Sequence, residues 1–301
     1  MIDPLAEVVT LLQPSARFSK LIVGAGAWRI TRSDAGQPYY CVVLDGSCRI
    51  VVGERDVVEL QPGDFIMIPA AHDYVVSSRE PPPEGVETSP VMLGEGRFRV
   101  GPESDPVGVR MLIGHCHFAS PDANLLVSLL PRLVHVRHEH RLAALMKLIN
   151  EESRAQRPAR DIVLSRLLEV LFIEALRFHA ESDPSPGLVR GLADARMAGV
   201  IHAMHERPEW PWTMAELADR AALSRSAFFG RFKRTVGVAP MAYLLAWRMA
   251  LAKRMLRQGG DRIADVAERT GYRSASAFSV AFTRCVGQSP AQYARNADSS
   301  G

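Results

Sequence analysis

The feature that most constrains this chain is an internal repeat. Residues 222–243, ALSRSAFFGRFKRTVGVAPMAY, and residues 271–293, GYRSASAFSVAFTRCVGQSPAQY, carry the same landmarks in the same order: Phe228 and Phe278, Phe232 and Phe282, Gly237 and Gly287, Pro240 and Pro290, Tyr243 and Tyr293. The lag is 49 residues before the turn, from Ala218 to Ala267, and 50 after it, so the second turn holds one residue more. In the first copy Thr213, with Glu216 three residues on, spells a capping box, Leu217 and Ala218 face inward, and Ser224 spells a second N-cap. Phe228, Phe232 and Val236 then recur at i, i+4 and i+8, the spacing of one buried helical stripe, and Gly237 stops the helix. The second copy has Ile263, Val266 and Ala267 inward on its first helix and Gly271 at the turn, followed by Phe278, Phe282 and Val286 buried and Gly287 as the stop. Each copy is expected to be a helix, a short turn and a second helix.

What distinguishes a reading unit from a packing unit is the face left over. Opposite the phenylalanine stripe, the second helix of copy one presents Arg225, Ser226, Phe229, Gly230 and Lys233, and that of copy two presents Ala275, Ser276, Ser279, Val280 and Thr283. Arg231, Arg234, Arg273 and Arg284 stand at the flanks. A helix meant for the protein interior would carry leucines there. A slim polar face suits the DNA major groove, ~12 Å wide, with donors for base edges and cations for phosphates. Phe229 is the exception, suited to a thymine methyl or to a packing contact. The stretch 240–258, PMAYLLAWRMALAKRMLRQ, reads as a stiff joining helix, so the two units would enter successive major grooves about one turn (~34 Å) apart. Charge agrees: residues 191–301 hold 16 Lys/Arg and 9 Asp/Glu, net +7, whereas residues 1–190 hold 20 and 24, net −4. Only the C-terminal end attracts a polyanion.

Residues 191–295 resemble the DNA-binding domain of the AraC/XylS family of bacterial transcription regulators. WRMALAKRML is similar to that family's linker helix, and GYRSASAFSVAFTRCVGQSPAQYAR to its second recognition unit. The resemblance implies a bipartite binder of a tandem site in double-stranded promoter DNA, with RNA polymerase as a further partner. It implies base contacts from Ser226, Phe229, Gly230 and Lys233, then from Ser276, Ser279, Val280 and Thr283. The chain departs from the family where many members place a basic residue on each recognition helix, because Gly230 and Val280 stand there, and Thr283 replaces a frequent lysine. Base readout is therefore expected to be lean, leaving more to phosphate contacts from Arg231, Arg234, Arg273 and Arg284 and to DNA shape.

Residues 18 to about 120 are short Val/Ile-rich runs broken by Gly, Pro and Asp, as in CVVLDG, CRIVVG and FIMIPA, the pattern of a β-sandwich or barrel. GSCRIVVGERDVVELQPGDFIMIPAAHDYVV resembles the cupin barrel that serves many AraC-type regulators as a sensory domain, through its PGDxxxxP turn followed by His72. Helical spacing follows from about 122 to 181, and SDPSPG at 182–187 is a breaker cluster. The expected fold is α+β and multidomain: a cupin-like barrel over 1–120, a helical dimerisation and connector segment over 121–181, a linker over 182–190 and an all-α DNA-binding domain over 191–301. Its helix-turn-helix units are expected at about 213–236 and 263–286, on either side of the helix 240–258.

The barrel offers fewer chemical signals. Metal-dependent cupins place a His-x-His pair and a carboxylate on an early strand, and the matching YYCVVLDG holds no histidine. The remaining metal candidate joins His72 with His115 and His117 of GHCHF, which share one face of a strand while Cys116 points the other way. Its alternative is a His72 that closes a turn beside an ordinary strand. Four cysteines without CxxC spacing suggest reduced thiols. Cys41, Cys48 and Cys116 are the candidates for a redox response, against packing as small hydrophobes. No GxSxG, Walker loop or GxGxxG occurs, so neither an enzyme nor a cofactor is expected.

MIDPLAEVVTLLQPSARFSK lacks a cationic start followed by an apolar run, and no window reaches the ~18 apolar residues of a membrane span, so the expectation is cytoplasmic, without a membrane. The segment IVLSRLLEVLFIEALRF is apolar over most of its circumference, which points to a homodimer through the helices at 138–181, with Leu168 and Phe172 as the residues whose change to Glu would break it. The expected function is a sequence-specific DNA-binding transcription regulator answering a small molecule or redox signal in its barrel. The alternatives are a constitutive regulator whose barrel only dimerises and a cupin enzyme with an accessory DNA-binding tail.

Overall fold

Alternation of apolar and polar residues lays out the N-terminal half. The computed structural model describes residues 3–32, 38–53, 56–69, 73–118, 126–127, 130–155, 157–182 and 186–298. Its strands are β1 (Pro14–Ala25), β2 (Arg29–Arg32), β3 (Tyr39–Gly46), β4 (Cys48–Val52), β5 (Asp56–Leu60), β6 (Phe65–Ile68), β7 (Tyr74–Ser77), β8 (Val91–Gly94), β9 (Arg97–Val100), β10 (Val107–Phe118) and β11 (Val134–Val136). One sheet has the order β11-β6-β3-β10-β1-β9-β8 and the other β2-β7-β4-β5. In β4 the alternation is plain, since Cys48, Ile50 and Val52 are buried and Arg49 and Val51 only half-buried. The two sheets close on one core, where Ile22, Val43 and Met111 of the first meet Ile50, Val52 and Val76 of the second. This is the cupin architecture of two facing sheets.

β6 and the first part of β3 read as unbroken apolar runs because both of their faces are covered. The outer cover comes from α2 (His140–Arg154), which lies on β1, β3 and β10, and from α3 (Arg160–Ser182), which lies on β1 and β11. α3 buries Leu164, Leu168, Leu171, Phe172, Ala175 and Leu176 within this unit, and Phe118 meets Phe172 edge-on at 5.5 Å. Leu168 and Phe172 are therefore core residues. They are not the dimer contacts expected of them, because α2 and the sheet together use two sides of the helix. The apolar residues of α3 that do face solvent are Ile162, Val163 and Val170.

The rest is helical: α4 (Leu188–Ala193), α5 (Ala195–Glu206), α6 (Met214–Arg220), α7 (Arg225–Val236), α8 (Pro240–Gln258), α9 (Ile263–Arg269), α10 (Ala275–Val286) and α11 (Pro290–Asp298). The chain forms two compact units, one of residues 13–121 and 131–183, the other of residues 1–12, 122–130 and 184–301. Two boundaries differ from the sequence reading. α4 begins inside the stretch read as linker. α1 (Pro4–Leu12), read as part of the barrel segment, belongs to the helical unit, where it packs on α5 and its Glu7 carboxylate lies 3.0 Å from His205 Nδ1. No single helix among the described residues is long and apolar enough to cross a membrane.

Candidate nucleic-acid interface and barrel cavity

The first unit is built by local hydrogen bonds. Thr213 Oγ1 accepts from the Glu216 N–H at 3.2 Å while the Glu216 carboxylate accepts from the Thr213 N–H at 2.8 Å, starting α6. Ala222 turns the chain in the left-handed region at φ 52°, and Ser224 Oγ accepts from the Ala227 N–H at 3.3 Å to start α7. Gly237, at φ 91°, ends it. Phe228 and Phe232 are fully buried and continue edge-on into Tyr243, with ring centres 5.7 and 5.8 Å apart. Burying that stripe turns Arg225, Ser226, Phe229, Lys233 and Arg234 outward, with Gly230 half-buried among them.

Arg231 departs from the flanking role read from the sequence. Its Nε and Nη2 donate to Asp194 Oδ2 at 2.9 and 2.8 Å. Asp194 is also the N-cap of α5, accepting from the N–H groups of Arg196 and Met197. Burial pushes its carboxyl up, but the Arg231 hydrogen bond and the two N–H groups outweigh this and hold it below the usual carboxylate value.

The second unit repeats the plan with one insertion. Gly271, at φ 80°, takes the place of Ala222, and the Tyr272 N–H returns to the Ala267 carbonyl as the Leu223 N–H returns to that of Ala218. Arg273 then intervenes before Ser274, whose Oγ accepts from the Ala277 N–H at 3.1 Å to start α10. Arg273 is thus the additional residue of the second turn. Phe278 and Phe282 are fully buried and run edge-on into Tyr293, whereas Ile263 and Val286, expected inside, are only half-buried. Arg273, Ser276, Val280, Thr283 and Arg284 face solvent, Val280 at 70% exposure; Ala275 and Ser279 are half-buried, and the Ser279 hydroxyl donates back to the Ala275 carbonyl at 2.7 Å.

One residue that sequence reasoning passed over ties the units together. Arg248 of α8 donates to the carbonyls of Pro208 and Trp210, both at 2.7 Å, pinning the loop that precedes α6. The same guanidinium and the Glu209 carbonyl stand 2.6 and 2.8 Å from where a Cβ at Gly271 would lie, so that loop abuts the second turn.

Known proteins share both halves. A cupin model matches residues 3–181, and a helix-turn-helix domain model matches residues 217–296. An AraC-like transcription regulator of Streptomyces lividans is 34% identical over 309 residues, covering 98% of this chain and 98% of the relative. Another, of Streptomyces antibioticus, is 33% identical over 302 residues, covering 98% and 99%. The chain belongs to the AraC-like transcription regulators. The regulator AlkR of Acinetobacter baylyi is 30% identical over 268 residues, 84% of this chain and 86% of its own length. An AraC-like protein with these tandem units is a transcription regulator that binds double-stranded DNA.

The barrel of this AraC-like regulator holds a cavity of about 460 Å³, within the ~300–1,000 Å³ range of small-molecule sites. Strand register sorts its walls. At one end His115 lies opposite Tyr39 and Arg32 opposite Tyr74, with the Tyr39 ring 4.7 Å from Tyr74 and 5.3 Å from His115. Lys20 lines the same cavity, its ammonium 4.6 Å from the centre of the Phe98 ring. Burial, and after it the Arg32 guanidinium, holds the Lys20 ammonium below its ordinary pKa. Toward the other end Ile22 lies opposite Met111 and Ile30 opposite Val76, and Trp28 closes the floor. Gly24 makes room for that indole, because a Cβ there would stand 2.6 Å from Trp28 Nε1.

The metal and redox candidates fare differently. His72 lies outside the described residues. His115 is buried on the cavity wall, whereas His117 is exposed and 2.8 Å from Ser15 Oγ. Among the described residues no three His, Cys, Asp or Glu side chains stand together as a metal site. Cys41, Cys48 and Cys116 are buried, and burial pushes the Cys41 thiol up to about 12 and the other two higher. Burial that favours the neutral thiol is what packing as small hydrophobes entails. Lys20, Arg32, Tyr39 and Tyr74 were not singled out from the sequence. The signal that could have found two of them is a cation on the inward register of a strand, Lys20 before Ile22 and Arg32 after Ile30.

Proposed function

We propose that this regulator reads two half-sites of one promoter with α7 and α10 and that its barrel binds a small-molecule effector. The observation that carries the reading is the pair of matched helices whose phenylalanines are wholly buried and whose opposite faces are slim and largely exposed, with Phe229 and Val280 as their apolar members. Base contacts fall to Arg225, Ser226, Phe229, Gly230 and Lys233 and to Ser276, Ser279, Val280 and Thr283. Phosphate contacts fall to Arg234, Arg273 and Arg284, while Arg231 stays paired with Asp194. The exposed Ile162, Val163 and Val170 of α3 and Leu148 of α2 support a homodimer formed through the barrel unit. Promoter DNA and RNA polymerase in the cytoplasm complete the proposed setting, with no catalytic step assigned to the barrel.

Genomic footprinting of the full chain tests the DNA half. Protection of paired half-sites about one helical turn apart supports it, and protection of single half-sites contradicts it. A thermal-shift screen tests the effector half: a ligand at 100 times its Kd adds about 2.7 kcal/mol of stability. The competing reading, a constitutive regulator whose barrel only dimerises, gives no shift with any compound.

A further inference from the structure

Within the proposed sensing role, on which this inference rests, the walls of the cavity narrow the effector's chemistry. The cavity is divided by strand register rather than mixed. His115, Tyr39, Tyr74 and Arg32 share one level of the two facing sheets, Lys20 follows one step inward, and beyond it come only hydrocarbon and indole. Among the described lining residues there is no Asp or Glu. An anion entering the polar end meets two cations, Lys20 and Arg32; burial first, and then the Arg32 guanidinium, lowers the Lys20 pKa. A planar guanidinium can grip a carboxylate through two parallel N–H donors. The apolar end offers nothing to a hydroxylated ligand. A sugar there would lose its water without replacement, at roughly 1–3 kcal/mol for each unmet polar group.

We propose that the barrel cavity binds a monocarboxylate with an apolar body, its carboxylate held between Lys20 and Arg32 and its body lying toward Trp28. The body has a length limit. Arg32 and Trp28 are four residues apart along extended chain, about 13 Å at ~3.3 Å per residue. A straight acid of about ten carbons fills that span, so decanoate is the probe.

The test titrates the full chain calorimetrically with decanoate, 1-decanol and decyl phosphate, all below the concentrations at which they aggregate. Decanoate is expected to bind at least tenfold more tightly than 1-decanol, which lacks the charge, and no more weakly than decyl phosphate. Affinity should rise about fourfold per methylene from hexanoate to decanoate and then level off. Lys20→Met and Arg32→Met should each weaken decanoate at least tenfold and leave 1-decanol unchanged, and Lys20→Arg should restore binding, with wild-type DNA affinity as the check that each variant is folded. Equal binding of decanoate and 1-decanol, tighter binding of decyl phosphate, insensitivity to both Met variants, or no binding of decanoate overturns the proposal. The sensing role fails separately, if no compound of any class shifts the melting of the wild-type chain.

Discussion

The two helix-turn-helix units share a plan and differ in what holds it. Each buries a pair of phenylalanines against a tyrosine fifteen residues on from the first, Tyr243 after Phe228 and Tyr293 after Phe278. The tyrosines have different partners. Tyr243 Oη lies 2.7 Å from His205 Nε2, whose Nδ1 faces Glu7 and whose ring stacks on Trp247 at 3.9 Å; Tyr293 Oη accepts from Arg257 at 2.8 Å. With the Glu7 carboxylate accepting at Nδ1, Nε2 accepts from the Tyr243 hydroxyl. The turns differ as well, since unit one uses a left-handed alanine and unit two a glycine followed by Arg273. Unit one is thus rooted in a buried polar chain reaching α1, and unit two in a part-buried tyrosine–arginine contact and an additional cation. A repeat copies the fold of its unit and leaves each copy to its own surroundings.

Five experiments would break or sharpen this comparison, and hydrogen exchange of α7 and α10 amides in the full chain reads the copies separately. Phe232→Ala and Phe282→Ala should each cost on the order of 3–5 kcal/mol, lowering protection first in α7 and first in α10 respectively. Losses spread evenly over both helices would mean the units do not fold as separate modules. The turns come next. Gly271→Ala should cost about 2 kcal/mol or more, because its backbone is left-handed and the new Cβ meets the Glu209 carbonyl, whereas Ala222→Gly should gain up to about 1 kcal/mol by relieving the same conformation.

Acid should separate the copies by a smaller step. Burial, opposed by Glu7, holds the His205 imidazole below its ordinary pKa, so the unfolded chain takes up the proton first. Protection of α5 and α7 should therefore be full above about pH 6.5 and fall progressively as the pH drops below it, while α10 holds. A parallel decline in both helices would remove His205 as the cause. Arg231→Ala should cost about 0.5–1 kcal/mol through the Asp194 contact, discounted for its exposure, and leave the salt dependence of DNA binding unchanged. Arg234→Ala should do the reverse and flatten the salt slope by roughly one unit. Smallest of all, Ser276→Ala should stay within about 0.5 kcal/mol in stability and alter only base preference in a binding-site selection.

What could be read in advance follows the range of the interactions. The capping box at Thr213, the caps at Ser224 and Ser274, the stops at Gly237 and Gly287 and the phenylalanine stripes all depend on partners within four residues, and the helices stand where those signals put them. The exposed faces of α7 and α10 followed from the same periodicity. Arg231 escaped this logic, because its position on the helix says nothing of Asp194, 37 residues earlier. α3 misled for a related reason: an apolar circumference shows that a helix is covered on several sides, and not whether the cover is its own chain or another's.

The amino-acid sequence by itself determined that this protein carries two helix-turn-helix units joined by a helix, because repetition, capping and helical period are local and need no knowledge of the rest of the chain. Tertiary structure alone decided that Arg231 pairs with Asp194, that α1 docks beside His205 across 198 residues of sequence, and that Lys20, Arg32, Tyr39 and Tyr74 line one cavity. The physical reason is that strand register and sheet packing bring together residues whose separation along the chain carries no pattern. A cavity is a property of several strands at once, and no one of them encodes it.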